Sequence, residues 1–198
     1  MLFWPCFVAV LLFSYFFIIR RDLRLDTLTG IGNRYSFNEF VDKLAKQEAS
    51  RPSRGGGQET WAVVMIDMDH FKEINDTLGH AEGDNALQDM ARIIREHIRQ
   101  GDLAARYGGD EFVIACRGAG DTGQLIARIQ AAMDAHNAQN IRPYRLEMSS
   151  GSGVYRSGGG QSIQQFMEEI DSRMYQNKSA RQERRSTDLW QPAMERGQ

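Results

Sequence analysis

The sequence predicts a domain of mixed helices and strands, α+β or α/β, built on one central sheet and carried behind an apolar N-terminal segment. Three observations predict this. Apolar runs of strand character alternate with amphipathic stretches of helical period. One of those runs, Trp61 to Ile66, is continuous, as expected of a strand buried on both faces. The opening residues, Leu2 to Ile19, carry no charge and are almost wholly apolar.

Taken in order, Leu2 to Ile19 as a helix would span roughly 27 Å at about 1.5 Å per residue, enough for a bilayer core. Arg20, Arg21 and Arg24 follow at once, and nothing basic precedes except the α-amino group. The positive-inside rule then places everything after Arg20 in the cytoplasm. A cleaved signal would need a basic n-region and a small-residue cleavage site, and both are missing. Residues 1–20 are therefore expected to be a membrane anchor, either a single span or the last of several. Residues 21–26 form a short charged connector with no room for a sensor domain.

Asn33 caps a helix expected to run to about Gln47, with Phe37, Phe40, Val41 and Leu44 on one face. Ser50 to Thr60 reads as a polar loop. After the strand at Trp61–Ile66, Asp67 and Asp69 are expected just past its end, and a helix follows from about Phe71. Asp84 to Arg99 is an amphipathic helix through Leu87, Met90, Ala91, Ile94 and Ile98. Leu103–Tyr107 and Glu111–Ala115 are short strands around Gly108-Gly109-Asp110, a hairpin pattern. Gln124–His136 is helical, Arg145–Tyr155 a strand, and Ile163, Phe166, Met167, Ile170 and Met174 mark a last helix. Ser179 to Gln198 is charged and polar and is expected to fray.

The chain has 198 residues, 41% hydrophobic and 25% charged, which suits one globular domain plus an anchor. A formal net charge of −2 gives no basic field toward nucleic acid. Cys6 and Cys116 have no metal-ligand spacing and make no disulfide framework.

Chemistry concentrates in a few places. Asp67 and Asp69 at a strand end either hold a cation between them or form an acidic loop facing water. Gly108 and Gly109 let the backbone turn and approach a ligand, with Asp110 and Glu111 directly after them. If this hairpin lies beside the first strand, Asp67 and Asp110 can share a metal. Lys72 and Asn75, three apart, lie on one helix face, where a lysine can neutralise a polyphosphate and an asparagine can pair with a base edge. His80 and Asp84 lie near the next helix start, a place suited to polar ligand edges.

These motifs resemble the GGDEF family of diguanylate cyclases. The resemblance rests on Ile66-Asp67-Met68-Asp69-His70-Phe71-Lys72-Glu73-Ile74-Asn75-Asp76, then Gly79-His80, Gly83-Asp84 and Arg106-Tyr107-Gly108-Gly109-Asp110-Glu111-Phe112. An opening motif, Asp26-Thr27-Leu28-Thr29-Gly30-Ile31-Gly32-Asn33-Arg34, is also similar, with Ile31 where leucine is commoner. The likeness runs from about Asp26 to Arg181. It implies a GGDEF domain over residues 27–182 and a polar tail over 183–198. The implied fold is α+β, a central antiparallel sheet wrapped by helices, like class III nucleotide cyclases and polymerase palms.

The resemblance also implies an activity: two GTP condensed by a homodimer into cyclic di-GMP and two pyrophosphates, a signal for biofilm or motility state. Asp110, Glu111 and Lys72 would be catalytic. GTP would meet Phe71, Lys72, Asn75, His80, Asp84, Gly108, Gly109, Lys178 and Arg181. Mg²⁺, with Mn²⁺ able to replace it, would bind as two ions per site through Asp67, Asp110 and the Met68 carbonyl. Arg99 and Asp102 match the family's product-inhibition motif and would bind cyclic di-GMP; read from the residues alone, they are a surface ion pair. The family's last basic pair is Lys-x-x-Gly-Arg; here Lys178 is kept and Arg181 stands one place early. The expected location is the bacterial inner membrane, with the catalytic part cytoplasmic. The competing reading is a catalytically silent module that binds GTP or cyclic di-GMP.

Overall fold

The computed structural model describes residues 24–50, 59–118, 120–157 and 159–189, together with Val8, Val10 and Leu11. The expected anchor over 1–20 lies outside the described residues but for those three. Among the described residues no helix is long and apolar enough to cross a membrane. Half of the connector, residues 21–23, and most of the expected loop over 50–60 also lie outside them.

Five strands make one sheet: β1 (Gly32–Asn33), β2 (Thr60–Met68), β3 (Leu103–Arg106), β4 (Glu111–Arg117) and β5 (Met148–Arg156), in the order β1-β3-β4-β2-β5. The sheet is mixed rather than wholly antiparallel, because β1 pairs with β3 in parallel while the other three pairings are antiparallel. No hairpin joins β1 to β3, so nothing forces them to run in opposite directions.

Among the described residues, five helices cover the two faces: α1 (Arg34–Ser50), α2 (Phe71–Leu78), α3 (His80–His97), α4 (Thr122–Ala138) and α5 (Ile163–Leu189). The period of two along β2 divides the core. Val64, Ile66 and Met68 pack with Leu87, Met90 and Ile94 of α3 and Ile129 and Met133 of α4. Val63 and Met65 pack on the other face with Phe37 and Leu44 of α1 and Phe166, Ile170 and Met174 of α5.

Several boundaries differ from expectation, each for a local reason. Asp67 lies within β2, because β4 and β5 pair with that strand as far as Asp67 and Met68. Helix α3 starts at His80, not Asp84, since Gly79 with φ +88 turns α2 directly into α3. That helix ends at His97, so Arg99 lies beyond it. Asn137 exchanges two hydrogen bonds of 2.8 Å with the Leu146 backbone, which holds that stretch off the ladder and delays β5 to Met148. The stretch expected to fray from Ser179 is helical to Leu189; its alanine, arginine, glutamine and glutamate residues favour helix without an apolar face. Asn33 does cap α1, accepting from the Ser36 N–H at 3.0 Å.

Candidate active site

The same period of two decides what faces α5. Asp67 follows Val63 and Met65 on that face of β2, and it is paired in register with Glu111 of β4. Helix α5 brings Lys178 across, and its Nζ lies 2.5 Å from Asp67 Oδ1. Asp67 is 7% exposed, whereas the Lys178 side chain is 31% exposed, so the pair is buried at its carboxylate end and open to solvent at the other. Asp67, Glu111 and Lys178 line a groove of about 660 Å³, with Asp171 and Tyr175 of α5 on its rim.

Asp110 enters from the turn. Its carbonyl accepts from the Met68 N–H at 3.1 Å, which sets Asp110 beside the end of β2. Gly108 and Gly109 do not use positive φ here. Gly108 instead leaves room for the Glu111 carboxylate, which folds back against the turn and would have to move if a Cβ stood there.

The expected donors for a divalent cation are two carboxylates and a backbone carbonyl, a hard-oxygen set of the kind Mg²⁺ takes. Among the described residues no group of three His, Cys, Asp or Glu side chains is arranged to hold an ion; the expected set supplies only two side chains. The electrostatics fit a cation. Burial raises the Asp67 carboxyl above its ordinary value; the Lys178 bond and charge oppose this, and Asp110 and Asp69 add to it. Burial disfavours the Lys178 ammonium, but its bond to Asp67 and the charges of Asp67, Asp110 and Asp69 outweigh it and raise its pKa. The two side chains are paired at 2.5 Å.

Burial first, then Asp67, Asp110 and Asp171, push the Glu111 carboxyl up, with Arg34 opposing. A carboxyl raised in the folded state supports folding below its unfolded value and loses that support as pH rises through its folded value. Charged Glu111 therefore weighs against the fold at neutral pH. Glu111→Gln should raise the melting midpoint there by about 1–4 °C. The gain should shrink as pH falls into the ordinary glutamate range. Melting curves at both pH values check this; an equal gain at each would assign the effect to packing.

The other expected ligand residues fall on α2 and α3. Lys72 is exposed, while Phe71 is half-buried against the core. Asn75 lies directly on Gly83, the residue before Asp84, where a Cβ would overlap its amide. Asp84 and His80 are exposed, His80 as the first residue of α3. Arg181 continues α5, but its side chain is outside the described residues.

Arg99 and Asp102 are joined differently from the expected ion pair: the Arg99 backbone N–H donates to Asp102 Oδ2 at 3.0 Å. Both line a separate pocket of about 110 Å³ with Cys116, Arg117 and Arg128. Ala62 is in its wall, five residues before Asp67 on β2, hence roughly 17 Å away at about 3.4 Å per residue. Burial, with the hydrogen bond and charge of Asp102, pushes the Cys116 thiol up to about 12.

Sequence reasoning missed two contributors, Arg34 and Asp171, and read a third, Asp69, only as a cation ligand or part of an acidic loop. Asp69 is buried, and Ser149 Oγ donates to it at 2.8 Å, so it braces β5 against the end of β2. Arg34 and Asp171 act on Glu111 from α1 and α5. No local pattern announces Arg34 or Asp171, because only the helix packing brings them to the groove.

A family model described as diguanylate cyclase, GGDEF domain, matches residues 23–184. The chain is 34% identical over 167 residues to diguanylate cyclase DgcP of Pseudomonas aeruginosa, covering 83% of this chain and 24% of that protein. It is 33% identical over 156 residues to diguanylate cyclase DgcS of Shewanella oneidensis, covering 78% of this chain and 49% of that one. It thus spans about a quarter and about half of those relatives. The fold resembles the coiled coil and GGDEF domain of DgcB from Caulobacter crescentus in complex with c-di-GMP. That likeness has a TM-score of 0.73 and 24% identity, and covers 89% of this chain and 91% of the other.

Proposed function

This chain belongs to the GGDEF family of diguanylate cyclases, and on that footing we propose that it condenses two GTP into cyclic di-GMP and two pyrophosphates. One observation carries the reading: the fold gathers Asp67, Lys178 and Glu111 at one groove, although Lys178 stands 111 residues from Asp67 in the chain, and ties Asp110 by its carbonyl to Met68, the residue after Asp67. Asp67, Asp110 and the Met68 carbonyl would hold Mg²⁺ or Mn²⁺. When bound, the metal supplies charge that stabilises the attacking and departing oxygens. Lys178 and Lys72 neutralise phosphate. Asp110 accepts the proton of the ribose 3′-hydroxyl as that oxygen attacks an α-phosphorus and pyrophosphate leaves. Asn75 and Asp84 read the guanine edge.

One groove takes one GTP, and the symmetric product needs two. Two domains then face each other about a twofold axis, as a homodimer. Residues 1–20 anchor the chain in a bacterial inner membrane with the domain on the cytoplasmic side, which raises the local concentration of partners. Pyrophosphate release with Mg²⁺, from GTP but not ATP, supports the reading; none from GTP contradicts it. The ammonium seated on Asp67 favours a second reading, a silent module binding GTP or cyclic di-GMP, and the same assay separates the two.

Arg99 and Asp102 form the inhibitory site for cyclic di-GMP, as the separate arginine-lined pocket suggests. Arg99→Ala should leave initial rates within about twofold, because the pocket is remote from the groove. Progress curves of the parent should flatten early and those of the variant stay straighter. Curves that bend alike at matched GTP consumption would leave Arg99 with a structural role alone.

A further inference from the structure

We infer that Arg106 is a positioning residue for Asp110 and that Asp26 holds it in that role; only the kinetic arm of its test rests on the cyclase reading. Asp110 stands between two planar peptide units. The following unit is anchored by the Met68 N–H to the Asp110 carbonyl at 3.1 Å. The preceding unit presents the Gly109 carbonyl, and Arg106 donates to it twice, from Nε at 3.0 Å and Nη2 at 2.7 Å. With both units fixed, the direction of the Asp110 Cα–Cβ bond is set. Gly109 needs this anchor more than another residue would. It has no Cβ to restrict its backbone, and no heavy atom lies within 4 Å of where one would stand.

The far edge of the guanidinium is held by Asp26, with Nη1 3.4 Å from both carboxylate oxygens. Asp26 is itself fixed. Its Oδ1 accepts from the Thr29 N–H at 2.9 Å and the Thr29 hydroxyl at 2.6 Å, and its own N–H donates to the Ile31 carbonyl at 2.8 Å. The side chains of Arg106 and Asp26 are 18% and 21% exposed, so solvent screens the pair less than a rim contact. Only a planar fork can grip a carbonyl on one edge and a carboxylate on the other; an ammonium cannot. The opening segment thereby becomes part of the active site. It also joins the sheet at β1, where Asn33 pairs with Arg106.

The test compares the full chain with Arg106→Ala, Arg106→Lys, Asp26→Asn and the Asp26→Asn/Arg106→Ala double variant. Arg106→Ala should lower kcat by about 10- to 100-fold with KM for GTP within about threefold, because Lys72, Asn75, Asp84 and Lys178 are untouched while Asp110 loses its aim. Mn²⁺ binding in the absence of GTP should weaken about tenfold, since Asp110 belongs to the expected ligand set. Arg106→Lys should recover little. Asp26→Asn should cost less than Arg106→Ala, and the double variant should match Arg106→Ala because the two act in series. Parent-like kcat and Mn²⁺ affinity in a folded Arg106→Ala would overturn the inference, as would full additivity in the double variant. If Arg106→Ala does not fold, Arg106→Lys and Asp26→Asn decide by the same measures. If the parent makes no cyclic di-GMP, the cyclase reading fails, and the Mn²⁺ comparison still decides this one.

Discussion

Asp110→Asn is expected to lower turnover by at least ~10²-fold, since a general base alone contributes about that much and the lost metal charge adds to it. The fold should survive. The anchoring contact of Asp110 to Met68 uses the Asp110 backbone, which the substitution keeps. The charge of Asp110 also raises both Asp67 and Glu111. Removing it should leave the melting midpoint unchanged or higher, a trade of stability for function. Kinetics and melting on the same preparation check both halves. Near-parental activity would remove Asp110 from the mechanism; loss of activity with loss of folding would show a structural role instead.

Gly151→Ala is expected to damage stability and catalysis together. Gly151 in β5 lies against the backbone of α5: a Cβ there would overlap the Ile170 carbonyl and stand 2.7 Å from the Met174 amide nitrogen. Backbone cannot step aside as a flexible side chain can, so the helix must retreat, at about 1–3 kcal/mol. Lys178 follows Met174 by one helical turn, and the retreat draws its ammonium away from Asp67. Denaturant unfolding should show the loss in stability, and kcat/KM should fall about tenfold or more. Gly120→Ala is the control, because its nearest neighbour, the Ala62 Cβ, would be 3.8 Å away. Equal, small effects at the two positions would mean that α5 is not seated through Gly151.

These two residues show what could be read from the sequence and what could not. Asp110 was legible because its chemistry is carried by adjacent residues, Gly108 to Phe112, whose order is itself the signal. Gly151 was not singled out. Its signal is weak but present: Ser149, Gly151 and Gly153 alternate along one face of β5, and small residues on one strand face make room for a helix. Asp67 was assigned its chemistry but misplaced past the strand end, because the pairing of β2 on both sides depends on partners far along the chain. The pairing of Lys178 with Asp67 likewise needs the whole fold. The apolar period that marks α3 becomes clear only from Leu87, which sets its expected start at Asp84, whereas the positive φ of Gly79 makes that residue the joint that lets α2 run into α3. The reach of α5 was missed because a charged stretch with no apolar period gives no packing signal. The parallel β1 edge could not be foreseen from a two-residue strand.

The most direct measurement is the product itself. The purified chain is incubated with GTP and Mg²⁺, and cyclic di-GMP and pyrophosphate are quantified together, with ATP and the Asp110→Asn variant run alongside. Condensation of two GTP predicts cyclic di-GMP with two pyrophosphates for each molecule formed, nothing comparable from ATP, and a loss of at least ~10²-fold in Asp110→Asn. GTP bound but left intact, with neither product appearing at any enzyme concentration, would contradict the account.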